Sequence, residues 1–507
     1  MTSPSAPASI FHATPVVDNQ LIVSSERPEA PASYDLVQID GAWLAHDRRL
    51  RVVALRDRAG RPIGRLVGYP FSAFAGRFLS SGPVDLPVEV ADADALEREV
   101  LPQFAGSFVL ITEGHLPQRL YPDHGGSLSV VYSPSDRRAA SSPSLLLDET
   151  AYQQRFRADL HEALVLREGL WISGTLTAHA GVSRLLPNHR LDLSDWTVAR
   201  YWPRPGEFAT WRSLPDAAAR AADGLKAFVA AACEEFRVAA TLTAGSDTRL
   251  LLSGFKDQLD RVEFFTLEPA DEIDVDISKV IARRFSLPHR ALRARESDAL
   301  QLAIWDRTIG DCLREAPRGV YRTMLDLVER DVVLTGAGGE VGRCRLYRQD
   351  FMEINQAVID PRFVVGRLTL PPHPELVESV SRWFEELAGH PNSVILDLAY
   401  LELKFGTWAM GQRPITNSIK LNLLAFMQRP VLDAFIGVAP AEKGRWALFA
   451  AIIGRLWPEL ISVPINKYGD LRDYLVLIKK LGDPGRVRRY LRDRMAKKTI
   501  AQPREAA

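Results

Sequence analysis

Thr241-Leu242-Thr243-Ala244-Gly245-Ser246-Asp247-Thr248-Arg249 is an apolar strand end that passes through small residues directly into a helix. Val238 to Thr243 reads as a short buried strand and Thr248 to Phe255 as the helix. Small side chains in the turn let backbone N–H groups approach an anion. The first helical turn adds unpaired donors and the positive end of the helix dipole. Thr243, Ala244, Gly245, Ser246 and Thr248 therefore form a candidate pyrophosphate cradle, with the two threonine hydroxyls as extra donors. No Gly-Lys-Ser/Thr follows, so this is not a Walker loop. Asp247 would repel a phosphate, but it suits Mg2+, the ion bridging carboxylate and phosphate oxygens. A plain strand–turn–helix with a capping Asp accounts for the same residues.

Working outward, Val332-Val333-Leu334-Thr335-Gly336-Ala337-Gly338-Gly339-Glu340 is a second strand that ends in a glycine-rich turn carrying an acid. Gly336 and Gly338 are candidate contacts to the same anion, and Glu340 is a second candidate metal ligand. Acids at two parallel strand ends, roughly 90 residues apart, can meet over one crevice, where doubly wound sheets bind ligands. The segments between support such a sheet. A helix capped by Ser213 runs to about Phe236, a strand covers Val262–Leu267, and helices cover Asp274–Phe285 and Gly319–Arg330. Beyond Gly342 the pattern is almost entirely helical.

Both glycine-rich stretches resemble loops of the asparagine synthetase family. The first is usually Ser-Gly-Gly-x-Asp-Ser. Thr243, Ala244, Gly245, Asp247 and Thr248 take its positions, with two Ser→Thr changes and one Gly→Ala. The second is usually Leu-Ser-Gly-Glu-Gly-x-Asp-Glu, where Glu340 stands for a metal-binding Asp and Ala337 replaces an acid. The resemblance implies a C-terminal ATP-pyrophosphatase domain with a helical cap. It implies ATP and Mg2+ as cofactors, with Asp247 and Glu340 on the metal. Phe264-Phe265-Thr266-Leu267 matches the strand whose edge holds adenine. Pro464-Ile465-Asn466-Lys467-Tyr468-Gly469 is similar to the stretch whose lysine, here Lys467, neutralises the leaving pyrophosphate. The resemblance extends over roughly residues 100–470.

The N-terminal half, a mix of short β runs and helices, reads as α+β. Gln103-Phe104-Ala105-Gly106-Ser107-Phe108 and Leu120-Tyr121-Pro122-Asp123-His124-Gly125-Gly126 resemble the family's glutaminase (Ntn-type) domain. That chemistry needs an N-terminal Cys. Residue 2 is Thr, on an arm rich in Ser and Pro, so no glutaminase is expected. Asp123 and His124 are adjacent in a turn and are read as stabilising it. Loss of the nucleophile resembles β-lactam synthetases and lasso-peptide cyclases, whose amine is intramolecular. A glycan- or natural-product-modifying amide ligase fits equally. An acid-paired tyrosine often assists the amine in such enzymes. Tyr321 and Glu402 are the candidates, although Glu402 is expected on an exposed face of the Ile395–Met410 helix.

The expected divisions are a flexible arm over 1–33, in which Leu21–Ser24 is a candidate strand, a degenerate glutaminase-like domain over 34–205, a synthetase domain over 206–480 and a basic tail over 481–507. The linker is Tyr201–Gly206. A length of 507 residues favours two or more domains. Lys+Arg and Asp+Glu both number 63, so no overall field points to nucleic acid. Three scattered cysteines and no leader or apolar span fit a cytoplasmic protein that does not cross a membrane. Arg486 to Lys498 form the basic tail, a contact for an anionic ligand, a partner protein or a membrane surface, or simply a solvated segment. The expected partners are a small-molecule or peptide carboxylate and an amine. A catalytically inactive binding protein is the alternative, motivated by Ala244, Ala337 and Glu340.

Overall fold

Strands that alternate with helices after residue 213 assemble into a parallel sheet with both faces buried. The computed structural model describes residues 13–167, 170–268, 272–314 and 317–473. Helix α1 (Leu214–Glu235) buries an alanine-rich stripe with Leu225, Phe228 and Val229. Strand β1 (Val238–Thr241) follows. Helix α2 (Ser246–Ser253) leads to β2 (Val262–Glu268), and α3 (Glu272–Arg284) to β3 (His289–Arg293). Strands β4 (Val332–Leu334) and β5 (Leu421–Leu423) complete the sheet in the order β3-β2-β1-β4-β5, all parallel. Ala240, Phe264 and Leu334 pack on one face with α1 and α2. Ala239, Phe265, Leu292 and Val333 pack on the other with Leu327.

The strand order reverses between β1 and β4. Chain leaving β1 goes toward β2, and chain leaving β4 goes toward β5, which makes their carboxyl ends the place where sheets of this kind bind ligands. Strands β3 and β5 were not evident in the sequence. Leu421-Asn422-Leu423 is too short to stand out as an apolar run in an otherwise helical region. The expected helix over Gly319–Arg330 is instead a turn of α-helix (Pro317–Val320) followed by a 3-10 turn (Tyr321–Asp326).

The N-terminal half contains two mainly antiparallel sheets, one of six strands and one of eight. They pack face to face through Leu21, Val23, Leu44, Val67, Val109, Ile111 and Leu120. Helices Pro143–Leu146 and Glu149–Arg155 cover the outer face of the first sheet through Leu146 and Tyr152. The outer face of the second meets α1, with Phe71 and Phe228 ring centroids 5.4 Å apart.

Two expectations need correction. Residues 13–33 are not a flexible arm. Leu21–Ser24 is a wholly buried strand between Ala42–Asp47 and Arg138–Ala140, because Leu-Ile-Val outweighs the surrounding Ser and Pro. The linker is also packed. Tyr201 and Trp202 are buried, and the Arg429 guanidinium lies over the Trp202 ring at 3.8 Å. Thr2 and the basic tail, Arg486 to Lys498, lie outside the described residues.

Candidate active site

The loop after β1 continues the sheet for one more bond, from Leu242 N–H to the Phe265 carbonyl at 2.8 Å. The chain then turns into α2. Thr243 Oγ1 accepts the Gly245 N–H at 3.1 Å and lies 2.8 Å from Thr248 Oγ1. Both hydroxyls thus sit over the start of α2. Gly245 is the N-cap and no side chain caps the helix, so its first-turn N–H groups have no side-chain acceptor. Ala244 does not belong to that set of donors. Its N–H donates to Asp274 Oδ1 at 2.9 Å and its carbonyl accepts the Asn466 N–H at 3.0 Å.

The loop after β4 presses against the first loop, and glycine makes this approach feasible. A Cβ on Gly336 would come within 2.7 Å of the Asp247 carbonyl carbon and 2.8 Å of the Thr248 nitrogen. A Cβ on Gly339 would lie 2.7 Å from Asp247 Cγ. Gly338 has φ +89°, a left-handed conformation that suits glycine. The chain then forms a 3-10 turn, Gly339–Arg343. The two glycine-rich stretches therefore form one surface.

Asp247 is the electrostatic centre of that surface. Burial raises its carboxyl to about 6, against the Arg343 guanidinium, which pulls it down, while Glu340 adds to the rise. Arg343 Nη2 donates to Asp247 Oδ2 at 2.6 Å. Tyr400 is nearly buried, and its phenol is held well above the ordinary value, first by burial and then by the charge of Glu340. Asp247, Glu340, Arg343 and Tyr400 thus share one region. Arg343 and Tyr400 carried no sequence signal, since one follows the glycine-rich turn and the other lies on a helix without a motif.

The segment that carries Lys467 reaches the same place. Arg249, buried on α2, donates to the carbonyls of Leu460 at 3.1 Å, Val463 at 2.9 Å and Pro464 at 3.3 Å. With the Asn466–Ala244 bond, this fixes the turn beside the loop and leaves Lys467 exposed next to it. Arg249 stands within the quoted stretch, but nothing in the sequence paired it with residues so distant.

Thr266 and Leu267 lie at the carboxyl end of β2, beside the loop. The Thr266 hydroxyl donates to the Leu242 carbonyl at 2.6 Å and lies 2.9 Å from His289 Nε2, so it braces the strand end internally. Tyr321 and Glu402 are not brought together. The Tyr321 hydroxyl donates to the Gln301 carbonyl at 3.3 Å. Glu402 is fully buried rather than exposed, because its helix is enclosed by the N-terminal half. It accepts both Arg200 Nη1 and Nη2 at 2.8 Å, Trp383 Nε1 at 2.6 Å and Asn188 Nδ2 at 2.9 Å. Asp123 accepts the N–H groups of Phe108, Gly125 and Ser127, and so stabilises its turn.

Donors suited to phosphates lie near one another: two hydroxyls, an uncapped helix start and, on the neighbouring turn, an exposed lysine. The fit to Mg2+ is poor as the side chains stand. One Asp247 oxygen is occupied by Arg343, and among the described residues no three His, Cys, Asp or Glu side chains converge. No described helix is long and apolar enough to cross a membrane.

No protein-family model matches the chain, and no curated protein matches it. One solved structure with partial likeness is the glutamine-dependent NAD+ synthetase from Acinetobacter baumannii in complex with adenosine diphosphate. It is 12% identical over 40% of this chain and 38% of that chain, with a TM-score of 0.17. The aligned part is well under half of either protein, and no conclusion is drawn from it.

Proposed function

We propose that this protein is an ATP-using ligase that activates a carboxylate as its adenylate and transfers it to an amine. A single observation carries the reading. A loop of small residues after β1 and a glycine-rich loop after β4 meet at the point where the strand order reverses, beside an uncapped helix start. The substrate carboxylate oxygen attacks the α-phosphorus, and the bond to pyrophosphate breaks. The amine nitrogen then attacks the acyl carbon, and AMP leaves with the bonding electrons.

In this reading Thr243, Gly245, Ser246 and Thr248 hold the phosphates, while Gly336 and Gly338 allow the second loop to close on them. Lys467 neutralises charge on the departing pyrophosphate. The end of β2, at Thr266 and Leu267, offers backbone groups to the base. Tyr400 replaces Tyr321 as the tyrosine of the site, because it lies beside Glu340. Its phenol stays protonated and orients the incoming groups as a donor. The N-terminal sandwich is read as a glutaminase-like domain.

Calorimetric titration with ATP, on the wild type and on Asp247→Ala and Lys467→Ala, tests the reading. ATP binding by the wild type that weakens in Lys467→Ala, with Asp247→Ala reporting what the Arg343 pair contributes, is expected. Wild-type protein that binds no ATP would sink it. A second reading is a binding protein without turnover, favoured by the Arg343 contact that already neutralises Asp247. It predicts ATP binding without AMP release on any carboxylate and amine pair.

A further inference from the structure

The Asp247–Arg343 pair occupies the place where the ATP-using reading calls for a cation. Mg2+ takes oxygen ligands at about 2.0–2.1 Å. A guanidinium hydrogen-bonded at 2.6 Å to Asp247 Oδ2 excludes an ion from that oxygen. In the rest of the turn Ala337 offers no carboxylate and Glu340 is the one acid beside Asp247.

We propose that Arg343 itself supplies the positive charge that holds the nucleotide's phosphates, so that the chain binds a nucleoside triphosphate with little need for a divalent ion. This rests on the ATP-using reading and concerns how the same site handles charge. Three features support it. Arg343 ends the 3-10 turn that follows the glycine-rich loop, so its position is fixed by the loop that would cover the phosphates. Its Nη2 is committed to Asp247, yet the side chain stays 19 % exposed, which leaves part of the guanidinium open to a ligand. A planar guanidinium can hold a carboxylate on one edge and a phosphate oxygen on another, which an ammonium does less well. The Thr243 and Thr248 hydroxyls stand on the neighbouring loop that Asp247 shares, and they complete a cradle of mixed donors.

The test titrates the full chain with ATP, once in excess chelator and once in saturating Mg2+. It compares wild type with Arg343→Gln and Arg343→Lys. Wild-type affinity should differ by less than about threefold between the two buffers, against the tenfold or more that about one charged hydrogen bond commands. Arg343→Gln should lose about tenfold or more in chelator, the worth of a charge-assisted hydrogen bond, and Mg2+ should recover part of that loss. Arg343→Lys should fall between the two and serves as the folded control if Arg343→Gln melts early. Wild-type binding that vanishes in chelator, with Arg343→Gln equal to wild type in Mg2+, would overturn the inference and leave the ATP-using reading intact. Absence of ATP binding in both buffers would overturn both.

Discussion

Arg249 Nη1 lies 2.9 Å from the carbonyl oxygen of Val463, although 214 residues separate them in the chain. The same side chain also holds Leu460 and Pro464, so a single buried cation closes the C-terminal turn over the loop after β1. Burial lowers Arg249 to about 10, which leaves it charged at neutral pH.

Arg249→Met should therefore free the 460–468 segment. Three carbonyls lose a charged donor, at a cost of about 3 kcal/mol or more. Limited proteolysis should cut near residue 465 in the variant and not in the wild type. ATP affinity should fall together with that protection. Unchanged protection would show that other contacts hold the turn.

Gly336→Ala should separate the two loops while the fold survives. The added Cβ meets backbone atoms of Asp247 and Thr248, which cannot rotate away. Overpacking of this kind costs about 1–3 kcal/mol, and ATP affinity should drop by a similar increment. Ala244→Gly is the contrasting case. The Ala244 side chain is buried in the core and its amide serves Asp274, so the change should lower stability and leave ATP affinity as it was. Tighter ATP binding in Ala244→Gly would mean that the methyl group does crowd the cradle.

Glu402→Ala should destabilise the protein by about 3–5 kcal/mol, because Arg200 would remain buried with only the more exposed Glu386 as counter-ion. Arg200 and Glu402 come from opposite halves of the chain, so the halves should also unfold less cooperatively. The double change Arg200→Met, Glu402→Met should recover much of the loss. Denaturant unfolding of the three variants checks this, and a single change as mild as the double one would contradict it.

Stability should also carry a pH signature from Asp311. Burial raises its carboxyl to about 7, while the Tyr152 hydroxyl that donates to it at 2.7 Å and the nearby Arg307 and Arg314 oppose the rise and Asp306 adds to it. The folded state therefore holds a proton that the unfolded chain has released above its ordinary value of 3.8. Between those two values the folded state binds more protons, so this residue's contribution falls as pH rises. Asp311→Asn removes the effect. Relative to wild type, the variant should gain up to about 4 kcal/mol on going from pH 4 to pH 7. Urea unfolding at the two pH values measures the difference, and a variant that tracks the wild type would show that Asp311 does not titrate in this range.

Much of the C-terminal half was legible because its signals are local. A strand, a run of small residues and a helix start all lie within Thr241–Arg249, and the second loop repeats that pattern. The three strands with four or more apolar residues in or beside them were also visible. Contacts between distant segments were not. Nothing near Arg343 marks it as a partner of Asp247, and nothing near Glu402 announces Arg200. Glu402 illustrates the limit, since a lone acid on a helix reads as solvated until the opposite half of the chain covers it. Leu21–Ser24 shows the reverse difficulty, in which four residues suited to a strand were outweighed by the composition around them.

The closing turn also sets a schedule for the molecule's biosynthesis. The Leu460 carbonyl that Arg249 requires lies 211 residues later in the chain. At about 5–20 residues per second, a ribosome takes roughly 10–40 seconds to cover that interval. During that time the phosphate cradle has already emerged, while Arg249 has no carbonyls to bond and Lys467 does not yet exist. A product terminated early would carry an open cradle that cannot complete the reaction. Closure of this turn and completion of synthesis are thereby coupled, and on the ATP-using reading only a chain extended past residue 467 carries all of its proposed site.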